Sequence, residues 1–159
     1  MEKVELLASS PLFEMLSPPE LEYVADLARP RQFKAGEVIF EEGSVGDSIF
    51  VIAKGEIEIL QKRNGGGEQT IAVLGSPSFF GEMSLIDKER RSATARPRSS
   101  CDLLQLSVEN LAAFRRQYRE GFIFLLINIA RMLSARLREA NLKLNGTPGG
   151  SATAIHRNI

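Results

Sequence analysis

Phe79-Phe80-Gly81-Glu82-Met83-Ser84-Leu85-Ile86-Asp87-Lys88-Glu89-Arg90-Arg91-Ser92-Ala93-Thr94-Ala95 is the stretch of this chain richest in chemical signal. Gly81 carries no side chain, so its backbone can approach a ligand closely. Glu82 to Ile86 is long enough for one short helical turn, and the free N–H groups at its start form an anion site. Arg91 follows nine residues after Glu82 and begins a strand. A guanidinium there can fork onto two oxygens of a phosphate. Ser92 and Thr94 bring hydroxyl donors to the same place. Glu82 fits beside an anion site as an acceptor, for example for a sugar hydroxyl. The same residues also admit a plainer reading. Glu82 would pair with Arg90 or Arg91 in a surface salt bridge, worth ~0–1 kcal/mol, and Gly81 would be an ordinary turn glycine.

Around this stretch the pattern is one of short strands flanked by helices. Upstream, Ser17-Pro18-Pro19-Glu20 combines a cap, a proline suited to the first helical position and a glutamate that can close a capping box. Leu21, Val24, Leu27 and Ala28 follow at helical spacing. From Arg31 the pattern changes to short strands broken by glycine: Val38-Ile39-Phe40, Ile49 to Ala53, Glu56 to Ile59, Gln69 to Leu74, Ser92 to Arg96 and Cys101 to Leu106. Lys54-Gly55 reads as a tight hairpin turn and Asn64-Gly65-Gly66-Gly67 as an exposed loop. Strands this short and evenly spaced predict a small β-barrel or jelly roll. Ser107 can cap a helix over Val108 to Tyr118. Gly121 is expected to interrupt it before a second helix from Phe122 to Leu144. Leu126, Ile129, Leu133, Leu137, Ala140 and Leu144 form one apolar stripe on that second helix, suited to a dimer seam or to the domain's own barrel. Asn145 to Ile159, rich in glycine and small polar residues, reads as a disordered tail.

Composition narrows the function. At 159 residues, 43% hydrophobic and 25% charged, the chain is an ordinary globular domain. Twenty Lys+Arg balance twenty Asp+Glu, so no global field draws in nucleic acid. No apolar run approaches the ~18 residues of a membrane span, and the charged N-terminus lacks a signal-peptide core; a cytoplasmic location is expected. Cys101 lies in an apolar run and reads as a buried, inert thiol. His156 is the one histidine, too little for a metal site or a histidine-based triad. The run Arg115, Arg116 and Arg119 reads as a solvated helix face.

Phe80-Gly81-Glu82-Met83-Ser84-Leu85 with Arg91-Ser92-Ala93-Thr94 resembles the phosphate-binding cassette of cyclic-nucleotide-binding domains. That family includes the bacterial catabolite activator and the regulatory subunits of cAMP-dependent protein kinase. Ala35-Gly36-Glu37, Glu42-Gly43, Gly46-Asp47-Ser48 and Lys54-Gly55-Glu56 match in family order, and the likeness runs from about Leu6 to Leu144. It implies an α+β fold: an antiparallel β-roll of the jelly-roll, double-stranded β-helix type, with N-terminal helices, a short cassette helix and two C-terminal helices. Residues 1–144 would form the domain and 145–159 the tail.

By that resemblance the ligand is cAMP or, less favoured, cGMP, with no cofactor and no metal. Glu82 would accept from the ribose 2′-hydroxyl, and Arg91 would neutralise the cyclic phosphate. Backbone N–H groups near Gly81, Glu82 and Met83 would face the ligand, Ser92 would donate to a phosphate oxygen or the base edge, and Phe80, Ser84, Ala93 and Thr94 would complete the ligand-binding set. The long helix would reach over the base through Arg136, Ala140 or Asn141, of which Asn141 has the amide suited to a purine edge. The same helix would carry a homodimer. Departures from the family pattern are Pro77, where glycine is usual, and Arg90, where proline is common in eukaryotic members. The expectation is a non-enzymatic sensor acting on an unknown protein effector, without a DNA-binding domain or a membrane partner. The alternative is a degenerate domain of the same fold acting as a scaffold without nucleotide.

Overall fold

The computed structural model describes residues 2–145. Residues 146–159, which hold nearly all of the expected tail, lie outside the described residues. Two antiparallel sheets form the roll. One has four strands in the order β1 (Arg29–Phe33), β7 (Cys101–Ser107), β2 (Ser48–Lys54), β5 (Phe79–Phe80); the other has three, β4 (Glu68–Gly75), β3 (Glu56–Lys62), β6 (Thr94–Pro97). Helices α1 (Lys3–Ser9) and α2 (Pro18–Leu27) precede the roll, α3 (Met83–Ile86) interrupts it, and α4 (Val108–Gln117) and α5 (Arg119–Asn145) follow. The expected β-roll with helices at both ends is thus the observed fold.

The strand sequences explain the layering. In β2 the run Ile49-Phe50-Val51-Ile52 is apolar at every position because both of its faces are covered. Ile49 and Val51 join the helices, Leu104 and Leu106 in one core; Phe50 and Ile52 join Ile57, Phe80, Cys101 and Leu103 inside the roll. β3 alternates instead, burying Ile57 while Glu56 and Glu58 face outward. The large helix-side core contains Leu6, Leu7, Phe13, Phe114, Leu125 and Ile129, all nearly fully buried.

Both predicted caps form. The Ser17 amide and hydroxyl donate to the Glu20 carboxylate at 2.8 and 3.0 Å, and Ser107 and Asn110 exchange reciprocal bonds of 3.0 Å. Each such cap satisfies helix-end amides that would otherwise lack partners.

Four local expectations are corrected. Lys54-Gly55 is not a hairpin, because β2 and β3 belong to different sheets; the turn carries the chain across the roll. Gly55 is there because its φ is +92° and a Cβ would lie 2.5 Å from the Ser100 carbonyl. Val38 to Phe40 forms only a single bridge, Phe40 to Ala95. The strand after the cassette begins at Thr94, so Arg91 lies in the loop before it. The break between the last helices falls at Tyr118, and Gly121 sits inside α5. A Cβ at Gly121 would come within 2.5 Å of the Glu20 carboxylate and 2.9 Å of the Phe114 ring, so close packing, not helix termination, accounts for the glycine.

Candidate functional site

β5 ends at Phe80, and Gly81 turns the chain into α3 with φ +86°. The turn creates the site's first contact: the Gly81 carbonyl accepts from Arg91 Nη1 at 3.1 Å. The Ser48 carbonyl, at the start of β2, accepts from Arg91 Nη2 at 2.9 Å. The guanidinium carbon lies 3.9 Å from the centroid of the Phe40 ring, within cation–π range. The loop before β2 holds the backbone as well, with Arg91 N–H donating to the Ser44 carbonyl and Gly43 N–H to the Arg91 carbonyl, both at 2.8 Å. Arg91 is 8% exposed and forms no ion pair among the described residues. Its Nε is buried without a hydrogen-bond partner among the described residues. Burial pulls its pKa below the ordinary arginine value, opposed by the charges of Asp47 and Glu82. A guanidinium this basic keeps its proton nonetheless, so the site holds a fixed, incompletely satisfied cation.

Glu82, 3% exposed, faces the same space. Its partner is neither Arg90 nor Arg91 but Arg136 of α5, whose Nη1 donates to Oε1 at 2.9 Å. Arg90 donates instead to the Gly43 carbonyl at 3.0 Å. Between the cassette, β4 and α5 lies a cavity of about 630 Å³, within the size range of small-ligand sites. The cassette contributes Arg91 and Glu82, β4 the apolar Ile71 and Val73, and α5 Arg136 and Lys143.

Of the residues picked from sequence, Phe80, Gly81, Glu82, Met83, Arg91, Ser92 and Ala93 all line this cavity. Ser84 lies in α3, and its side chain is outside what the structure describes. Thr94 does not line the cavity: its hydroxyl accepts the Glu42 amide at 2.9 Å and closes the roll instead. Asn141 does not line it either. It lies one residue beyond Ala140, about 100° further round the helix, whereas Arg136 and Ala140 do face in.

Sequence reasoning missed Phe40, the Ser48 carbonyl, Met132, Glu139 and Lys143. The last three had a legible signal: with Arg136 and Ala140 they share one helical face at intervals of three and four. Phe40 had none, because only the tertiary fold brings it to Arg91.

A β-roll with a buried cation and a carboxylate at one cavity, roofed by a C-terminal helix, has the architecture of a small-ligand-binding domain. The chain belongs to the cyclic nucleotide-binding domain family, whose profile matches residues 30–118. The cyclic AMP receptor protein of Thermus thermophilus is 35% identical over 87% of this chain and 62% of its own length. The solved cyclic nucleotide-binding domain from Methylobacillus flagellatus KT superposes with a TM-score of 0.80 at 27% identity, covering 95% of this chain and 85% of that one. The regulatory domain of Toxoplasma gondii PKA, solved with cAMP, gives a TM-score of 0.67 at 26% identity, covering 71% of this chain and 43% of that one. This chain therefore spans less than two thirds of the length of the Thermus relative. No helix among the described residues is long and apolar enough to cross a membrane.

Proposed function

We propose that the cavity binds a cyclic nucleotide, cAMP in preference to cGMP, and that the chain is a cytoplasmic sensor whose α5 responds to the ligand. The observation that carries this reading is Arg91: a buried cation that has, among the described residues, no ion pair and no partner for its Nε, at the edge of a cavity of about 630 Å³. A cyclic phosphodiester supplies one negative charge and acceptors for that Nε. Glu82 takes the ribose 2′-hydroxyl, and backbone at Gly81 and Met83 flanks the phosphate. Ile71 and Val73 offer apolar surface to the base. The preference for cAMP rests on the Thermus and Toxoplasma relatives, named for cAMP or solved with it.

In this reading no bond is made or broken, and the output is mechanical. Because Arg136 holds Glu82, a ribose hydroxyl that engages the carboxylate must share it with α5 or displace α5. The distal helix exposes Leu137, Leu142 and Leu144, a surface suited to a second copy or to a protein effector.

Titration calorimetry with cAMP and cGMP on the wild type and on Arg91→Ala is the test. A hydrogen bond to a charged group is worth about 1.5–3 kcal/mol, so Arg91→Ala should weaken binding roughly ten- to hundredfold. Tight binding unchanged by this substitution would refute the assignment. The Glu82–Arg136 pair also favours a second reading, a scaffold whose carboxylate is permanently committed to its own helix. That reading requires wild-type protein to bind neither nucleotide at millimolar concentration.

A further inference from the structure

Gln105 is an unusual residue for its place. It lies on β7, the central strand between β1 and β2, opposite Arg29 on one side and Phe50 on the other. Strand alternation puts it, half-buried, on the same face as Phe50 and Leu103, which belong to the interior of the roll. A primary amide there costs stability unless it is hydrogen-bonded, and Gln105 is bonded at both ends. Its Oε1 accepts from Arg31 Nη1 at 2.6 Å, and its Nε2 donates to Ser48 Oγ at 2.7 Å. Ser48 Oγ in turn donates to Asp47 Oδ1 at 3.0 Å. Ser48 is 1% exposed, and its carbonyl is the acceptor for Arg91 Nη2. The chain Arg31–Gln105–Ser48 therefore ends on the hydroxyl of the residue whose carbonyl receives Arg91 Nη2. A second cavity of about 520 Å³ is lined by Arg31, Phe40, Asp47 and Gln105 together with Arg91 itself.

We infer that Gln105 and Arg31 are positioning residues for the nucleotide site: through Ser48 they fix the backbone carbonyl that orients Arg91, although neither lines the ligand cavity. The inference rests on the reading of that cavity as the cyclic-nucleotide site. The Ser48 hydroxyl receives one bond and donates one, so the side chain of the residue whose carbonyl meets Arg91 is held at two points. Removing Gln105 leaves the hydroxyl with Asp47 alone, and lets the carbonyl and the guanidinium drift together.

The test is a double-mutant cycle on cAMP affinity, which isolates coupling between residues that act through one another. Gln105→Ala should weaken cAMP binding about three- to tenfold in the wild-type background and by less than about twofold when Arg91 is already alanine. Arg31→Met, a change at the half-buried end of the chain, should give a smaller loss with the same dependence on Arg91, and it serves if Gln105→Ala does not fold. A measurement without nucleotide is the Arg91 Nε–H resonance, which should broaden or shift in both variants. A purely structural role for Gln105 lowers the melting temperature but leaves that resonance in place and weakens binding equally in both backgrounds; that result overturns the inference, as does wild-type affinity in Gln105→Ala. If wild-type protein binds no cyclic nucleotide, the reading of the cavity itself fails and the inference falls with it. If binding depends on Arg91 and not on Gln105, only the inference falls.

Discussion

At the scale of single residues, the site depends on contacts too tight to tolerate an added methyl group. Gly81 combines a φ of +86° with two close neighbours: a Cβ would lie 2.9 Å from Arg91 Nη1 and 3.0 Å from the Ser48 carbonyl. The substitution Gly81→Ala therefore incurs backbone strain and also pushes on the two groups that set the guanidinium. The strain alone is of order 1–3 kcal/mol. The expected outcome is a melting temperature lowered by several degrees and a nucleotide affinity reduced beyond what the lost stability explains. The relevant comparison is Gly36→Ala, whose φ of +85° imposes similar strain with nothing within 4 Å of the added carbon. Affinity lost equally in both variants would show that Gly81 acts through stability alone.

Secondary elements were legible where the signal was local. The Ser17–Glu20 capping box and the Ser107 cap could be read from the local sequence because their partners are three residues away. The continuous apolar run of β2 and the alternation of β3 reported their layers correctly, since the period of a strand records how many of its faces are covered. Misreadings arose where the deciding contact was distant in sequence. Gly55 looked like a hairpin glycine, but Ser100 and Cys101 set its environment. Gly121 looked like a helix break, but Glu20 and Phe114 explain it. In the cassette, Gly81, Glu82 and Arg91, named from spacing and resemblance, line the cavity, whereas Asn141 lies one position off the face that Arg136 and Ala140 share.

α5 makes its own prediction at this scale. Glu82 is nearly buried and Arg136 is partly exposed, with side-chain exposures of 4% and 39%. Removing the arginine strands a buried carboxylate, and such a loss outweighs the worth of an exposed pair. Arg136→Ala should cost about 1–3 kcal/mol of stability by denaturant unfolding, after discounting for the solvent exposure of the arginine. Arg138→Ala, which removes only a bond to Ser134 on the same exposed helix face, should cost less than about 0.5 kcal/mol. Equal effects would mean that the pair to Glu82 does not hold the helix to the cassette.

Across the whole molecule, the cavity lies between two layers that are otherwise stabilised by separate cores. The roll interior is built on Phe50, Ile57, Phe80 and Leu103, while the helical layer is built on Leu12, Phe114, Leu125 and Ile129. α5 belongs to the second layer: Asn128 donates to the Leu12 and Glu14 carbonyls at 2.9 and 2.8 Å. The same helix reaches over the cavity through Arg136 and Ala140. A ligand gripped by Arg91 below and α5 above adds its binding energy to the unfolding of both layers. At a hundred times its dissociation constant it should contribute about 2.7 kcal/mol, or about 5–10 °C in melting temperature for a domain of this size. The shift should appear as one transition, fall to about 1–5 °C at the same cAMP concentration in Arg91→Ala, whose ten- to hundredfold weaker binding leaves about 0.4–1.4 kcal/mol, and shrink with 5′-AMP, whose phosphate is not tied back in a ring. Two resolved transitions, with only the higher or only the lower moving, would mean that the ligand engages one layer. α5 would then be a bystander to binding, and the proposed mechanical output would lose its moving part.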